Sequence, residues 1–144
     1  MSQVRKNLSL SAEAADCLAN VGDGNASEYV SRLVVERERL WRDALGLIRA
    51  IGWRRQHVLA CIEALSGYHL GSMASRTSGA IALELHDAED VPSKWGVADD
   101  WRNIVQLVAD RSELSLAVLV LTEEHWAGNT ECVRRINGLR GVGE

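Results

Sequence analysis

The sequence predicts a mainly α chain: one short β-strand at the N-terminus, two helices behind it, and then an α-helical domain of about five helices. Three observations predict it. Val4 to Leu10 alternates, with Val4, Leu8 and Leu10 on one parity and Arg5, Asn7 and Ser9 on the other, which places the two sets on opposite faces of a strand. From Ser11 onward, apolar residues instead recur at three- and four-residue intervals, the spacing of a helix face. Gly, Asn and Asp clusters then divide these runs into separate elements, with no fixed-period repeat and no low-complexity tract.

The strand carries one exception, Lys6, on its apolar parity. Ser11 is a good N-cap for a short helix from Ala12 to Asn20, whose face is Ala14, Ala15, Leu18 and Val21. Asp23-Gly24-Asn25 is a turn signal. A second helix opens with Asn25 or Ser27 as its cap and carries Val30, Leu33, Val34, Leu40 and Trp41. A strand and two short helices are too small to close a core alone, and a lone strand needs a partner. Pairing with a second copy of the chain meets both needs.

These residues resemble the ribbon-helix-helix DNA-binding proteins, a group of bacterial, phage and plasmid repressors. The resemblance covers about residues 4–45. It rests on Arg5-Lys6-Asn7-Leu8-Ser9-Leu10-Ser11, on Leu18, and on the block Asn25-Ala26-Ser27-Glu28-Tyr29-Val30-Ser31-Arg32-Leu33-Val34. It implies a homodimer whose paired strands enter the major groove of double-stranded DNA. Arg5, Asn7 and Ser9 would contact bases; Arg suits guanine and Asn suits adenine. Asn25, Ala26 and Ser27 would present helix N-terminal amides to a backbone phosphate. Lys6 departs from the family's apolar pattern and would reach a phosphate while its stem packs. Leu8, Leu10, Leu18, Val30, Leu33 and Val34 would form the dimer core.

Composition bounds this reading. The net charge of −4 and pI of about 5.6 exclude a uniformly basic coat. Residues 1–55 nevertheless hold nine Lys or Arg against seven Asp or Glu, whereas residues 56–144 hold seven against thirteen. The positive balance therefore sits where the resemblance places DNA, and the acidic half would be repelled by it. The longest apolar run, Leu116 to Leu121, is six residues, far short of the ~20 a bilayer span needs. With no N-terminal apolar run, the chain reads as cytoplasmic, without contact to a membrane. Cys17, Cys61 and Cys132 are widely spaced and read as buried and reduced.

Beyond Leu40 the family gives no guide. The second helix continues through Trp41, Ala44, Leu45, Leu47 and Ile48 to about Ala50, and Gly52 breaks it. Helices follow over Trp53–Ser66, ended by Gly67, and over Ser72–Ala88. A loop holds Pro92, the single proline. Asp99 or Asp100 caps a helix through Ala109. Ser112–Trp126 is the most apolar helix, with Leu114, Val118, Leu121 and Trp126 as its stripe. Asn129 caps the last, Thr130–Leu139. The organisation is residues 1–50 for DNA binding and dimerisation and residues 51–144 for oligomerisation, effector sensing or docking to a partner protein.

Glu84, His86 and Asp87, and Glu123, Glu124 and His125, are the groupings with metal or acid–base chemistry. H-E-x-x-H, the P-loop, G-x-G-x-x-G and G-x-S-x-G are all missing, so these residues read as solvated helix charges. No catalytic residue, metal or cofactor is expected. The four tryptophans beyond Trp41, namely Trp53, Trp95, Trp101 and Trp126, read as core and interface anchors in a chain without Phe. Transcriptional repression is the expected use. A relaxosome or partition accessory role, or an antitoxin or adaptor whose C-terminal half binds a protein, are the alternatives.

Overall fold

A computed structural model of the chain describes residues 11–19, 26–66 and 77–140. They form eight α-helices: α1 (Ala12–Ala19), α2 (Ala26–Ala50), α3 (Arg55–Ala64), α4 (Ser78–Asp87), α5 (Val91–Lys94), α6 (Ala98–Asp110), α7 (Ser112–Trp126) and α8 (Thr130–Asn137). The chain divides into two compact units, residues 1–38 and 39–144.

This corrects the expected fold class. Among the described residues there is no strand, and the class is all-α. The stretch read as a strand, Val4 to Leu10, lies outside the described residues. In the described segments the apolar residues recur at helical intervals, and none of those segments forms a strand.

In the first unit, Ser11 caps α1 as expected: its Oγ accepts the Ala14 N–H at 3.1 Å, and its carbonyl accepts the Ala15 N–H at 2.9 Å. α2 is 25 residues long, about 37 Å at the usual rise per residue. It opens at Ala26, so Ser27 stands inside its first turn rather than before it. Its end is set by Gly52, at φ 81°. The Gly52 N–H returns to the Arg49 carbonyl and the Trp53 N–H to the Ile48 carbonyl, which satisfies the last turn in a left-handed cap.

The second unit is built on α7. Leu114, Ala117, Val118, Leu119, Val120 and Leu121 are all buried, so the helix is enclosed on nearly every side. Trp41, Ala44, Leu45 and Ile48 of α2, Val58, Cys61 and Leu65 of and after α3, Ile81 and Leu85 of α4, Trp101, Ile104 and Val108 of α6, and Ile136 of α8 complete one core. Its polar members are bonded. Thr122 Oγ1 donates to the Val118 carbonyl at 2.7 Å, and Ser115 Oγ lies 2.9 Å from the Ser112 carbonyl and 2.8 Å from Ser78 Oγ. Among the described residues no buried side-chain nitrogen or oxygen lacks a hydrogen-bond partner.

Four expectations for this half change. The described residues after position 50 form six helices rather than about five, because Val91–Lys94 is a helical turn; Pro92 fits within it since a helix's first amides need no internal partner. α6 begins at Ala98 with Val97 before it, so Asp99 and Asp100 lie in the first turn, where carboxylates favour the helix dipole, and neither caps. α3 starts at Arg55, leaving Trp53 before the helix. Trp126 is exposed: the stripe Leu114, Val118, Leu121 continues to His125, and Trp126 is rotated about 100° from it. Asn129 does cap α8, accepting the Cys132 N–H at 3.1 Å.

Candidate functional site

The residues expected to touch DNA divide into two groups. Arg5, Lys6, Asn7, Ser9 and Asn25 lie outside the described residues, as do the core candidates Leu8 and Leu10. Ala26 and Ser27 open α2, and Ser27 is exposed. A helix start leaves its first amides without partners inside the helix, so Ala26 and Ser27 stand where backbone N–H groups face outward. Glu28 in the same turn is a local negative charge against a phosphate.

Of the remaining dimer-core candidates, Leu18 is in α1 and Val30 is half-buried. Leu33 is 45% exposed and Val34 63% exposed. Tyr29 and Val35 beside them are exposed too. The first half of α2 therefore presents large apolar side chains to solvent in the single chain, a pattern that marks interaction surfaces when the residues are contiguous.

The second unit holds a separate surface feature. Leu40, Ala44 and Leu47 of α2 and Leu116, Ala117 and Val120 of α7 line an open groove of about 170 Å³, with Asp43 and Glu113 at its rim. Leu116 is exposed on its wall. Trp41, two turns from Leu47, is buried beneath two guanidinium groups: Arg42 lies 4.7 Å and Arg135 5.8 Å from its ring centroid.

The acid–base groupings named from the sequence do not assemble into a site. His86 Nδ1 lies 3.3 Å from Asp87 Oδ1, with both side chains mostly in solvent. Glu124 is buried and accepts the Asn129 Nδ2–H at 2.9 Å, tying the end of α7 to the start of α8. Among the described residues no three His, Cys, Asp or Glu side chains are grouped to hold a metal ion. Cys61 and Cys132 are buried and not disulfide-bonded, and burial pushes the Cys61 thiol up to about 12. No described helix is long and apolar enough to cross a membrane.

Two polar constellations went unmarked by the sequence. In the first, His57 is 7% exposed, with its ring beside Trp53 at a centroid distance of 6.2 Å. Its Nδ1 accepts the Arg54 N–H at 3.0 Å, and its Nε2 lies 3.1 Å from Asp100 Oδ2. In the second, Glu63 is ion-paired with Lys94 and accepts the Trp95 Nε1–H at 3.1 Å, so α3 is fastened to α5. The Lys94 hydrogen bond, joined by that of Trp95, holds the Glu63 carboxyl below the usual carboxylate range. His57 and Asp100 are 43 residues apart and Glu63 and Lys94 are 31 apart, so no local spacing announces either pair.

Comparison of the chain with protein-family models, with curated proteins and with solved structures gives no match.

Proposed function

We propose that the protein is a homodimeric, sequence-specific DNA-binding regulator acting in the cytoplasm, most simply a transcriptional repressor. The observation that carries the reading is the exposed apolar surface of Leu33 and Val34 at the start of α2. Those residues fall where the sequence resemblance to ribbon-helix-helix proteins assigns the dimer core, and a second copy is the partner that would cover them. The positive balance of residues 1–55 and the Arg5, Asn7 and Ser9 side chains support nucleic acid as the ligand. Lys6 and the α2 start at Asn25, Ala26 and Ser27 supply the phosphate contacts of the same reading.

The test is a mobility-shift assay at two salt concentrations on operator candidates, with dimerisation followed by sedimentation. Arg5→Ala and Asn7→Ala are expected to lose sequence-specific binding while remaining dimeric. If both variants bind as the unaltered chain does, the assigned readers are wrong. A footprint over a promoter supports repression. A footprint beside an origin of transfer or a centromere-like array replaces repression with an accessory role. The salt slope separates phosphate contacts from base contacts.

A further inference from the structure

We propose that His57 is a proton-operated latch between α3 and α6, closed when its imidazole is neutral and opened on the α3 side when the ring takes a second proton. The geometry fixes the neutral tautomer. Arg54 N–H points at Nδ1 from 3.0 Å, so Nδ1 must be the lone-pair nitrogen. The proton is then on Nε2, which donates to Asp100 Oδ2 at 3.1 Å. One buried side chain thereby serves two helix starts. At the N3 position of α3 it satisfies the amide of the residue before the helix, and on its other side it holds a residue in the first turn of α6.

A second proton affects the two sides unequally. Nε2 stays a donor, and its bond to the Asp100 carboxylate becomes an ion pair. Nδ1 changes from acceptor to donor and faces the Arg54 N–H, donor against donor, so the cap must open. Asp100 from α6 is the charged side chain bonded to the ring among the described residues. Arg54 offers its backbone amide, and Trp53 an uncharged ring. On α5, Lys94 is held by Glu63, six residues along α3 from His57. α4, α7 and α8 place no charged group in hydrogen-bond contact with the ring among the described residues. The result is a device that tightens α3 to α6 while loosening the first turn of α3.

The experiment is a pH titration of the ¹⁵N-labelled full chain by NMR, reading the imidazole nitrogens and the Arg54 amide together. At neutral pH, Nε2 is expected to carry the proton. As the ring takes the second proton, the protection factor of the Arg54 amide, its exchange corrected for the intrinsic pH dependence, is expected to fall about fivefold to tenfold, the loss of one hydrogen bond. His57→Gln, which accepts and donates without titrating, is expected to abolish that step. Asp100→Asn, whose Oδ1 can still accept from Nε2, is expected to keep the coupling between the ring and the Arg54 amide. A proton on Nδ1 at neutral pH overturns the proposal. So does Arg54 protection that stays flat through the titration, or a ring that stays neutral until the chain unfolds.

Discussion

The indole Nε1 of Trp101 donates to the carbonyl oxygen of Leu85 at 3.1 Å, across the contact between α6 and α4. The same carbonyl accepts the Ala88 N–H at 3.3 Å, so the indole completes the C-terminal turn of α4 from a neighbouring helix. Trp101→Phe keeps most of the ring and removes this bond. It is expected to cost about 1 kcal/mol, because the carbonyl keeps its second donor. Trp101→Ala also opens a cavity and is expected to cost about 3–5 kcal/mol. Urea unfolding of the two variants separates the bond from the packing; equal losses would contradict the assignment.

Asn129 makes two bonds at one corner. Its Oδ1 accepts the Cys132 N–H as the cap of α8, and its Nδ2 donates to the buried Glu124. The corner turns on Gly128, at φ 75°, whose N–H returns to the His125 carbonyl while the Asn129 N–H returns to Glu124. Asn129→Ser is expected to keep the cap and lose the Glu124 link. Asn129→Ala loses both and is expected to be less stable than Asn129→Ser by about 1 kcal/mol, the usual worth of a cap. Chemical denaturation of the pair measures the difference, and indistinguishable stabilities would remove the cap from the account.

The acid limb of stability carries a sign that the geometry fixes. Arg134, with its hydrogen bond first and that of Arg135 second, pulls the Glu131 carboxyl from the ordinary 4.5 down to about 2. The unfolded chain therefore binds this proton more readily than the folded one. The contribution is whole above about pH 4.5 and is lost as the pH falls toward 2. Glu63, also lowered, acts in the same direction. These pairs lie at the surface, so the effect is small and screened by salt. Glu131→Gln is expected to flatten the fall of the unfolding midpoint over this range, and high salt to do the same. A variant whose acid limb is unchanged would show that other carboxylates govern it.

What the sequence made legible follows from the range over which each signal acts. Ser11 and Asn129 were readable as caps because a cap bonds an amide three residues along, inside the reach of local pattern. α7 stood out because six consecutive apolar residues within one helix leave little choice but burial. Pro92 misled, since proline stops a helix only beyond its first turn. Asp99 or Asp100 reads as a cap because Asp caps helices often; the Asp100 carboxylate instead serves His57, a residue 43 positions away. Such a pair is brought together by the tertiary fold, and no spacing rule encodes it. The alternation at Val4 to Leu10 reads as one strand in a mainly α chain; those residues lie outside the described ones, whose regular elements are all helices.

The exposed side chains of α2 make the most direct prediction about assembly. Leu33 and Val34 are exposed in the single chain, and both are large and apolar. If a second copy covers them, a carboxylate at either position must be taken out of water without a partner, which a dimer tolerates poorly. Leu33→Glu and Val34→Glu are therefore each expected to weaken dimerisation by at least about tenfold, a loss of ~1.4 kcal/mol. The core of the second unit contains neither residue, so the helical circular-dichroism signal of residues 39–144 and their cooperative melting are expected to persist. On the proposed DNA-binding function, binding is expected to fall along with dimerisation, because two linked contact segments bind far more tightly than one. Sedimentation and the mobility shift, measured on the same variants, decide the matter. Variants that stay dimeric place the self-association surface elsewhere, and variants that become monomeric yet bind DNA unchanged separate the two functions.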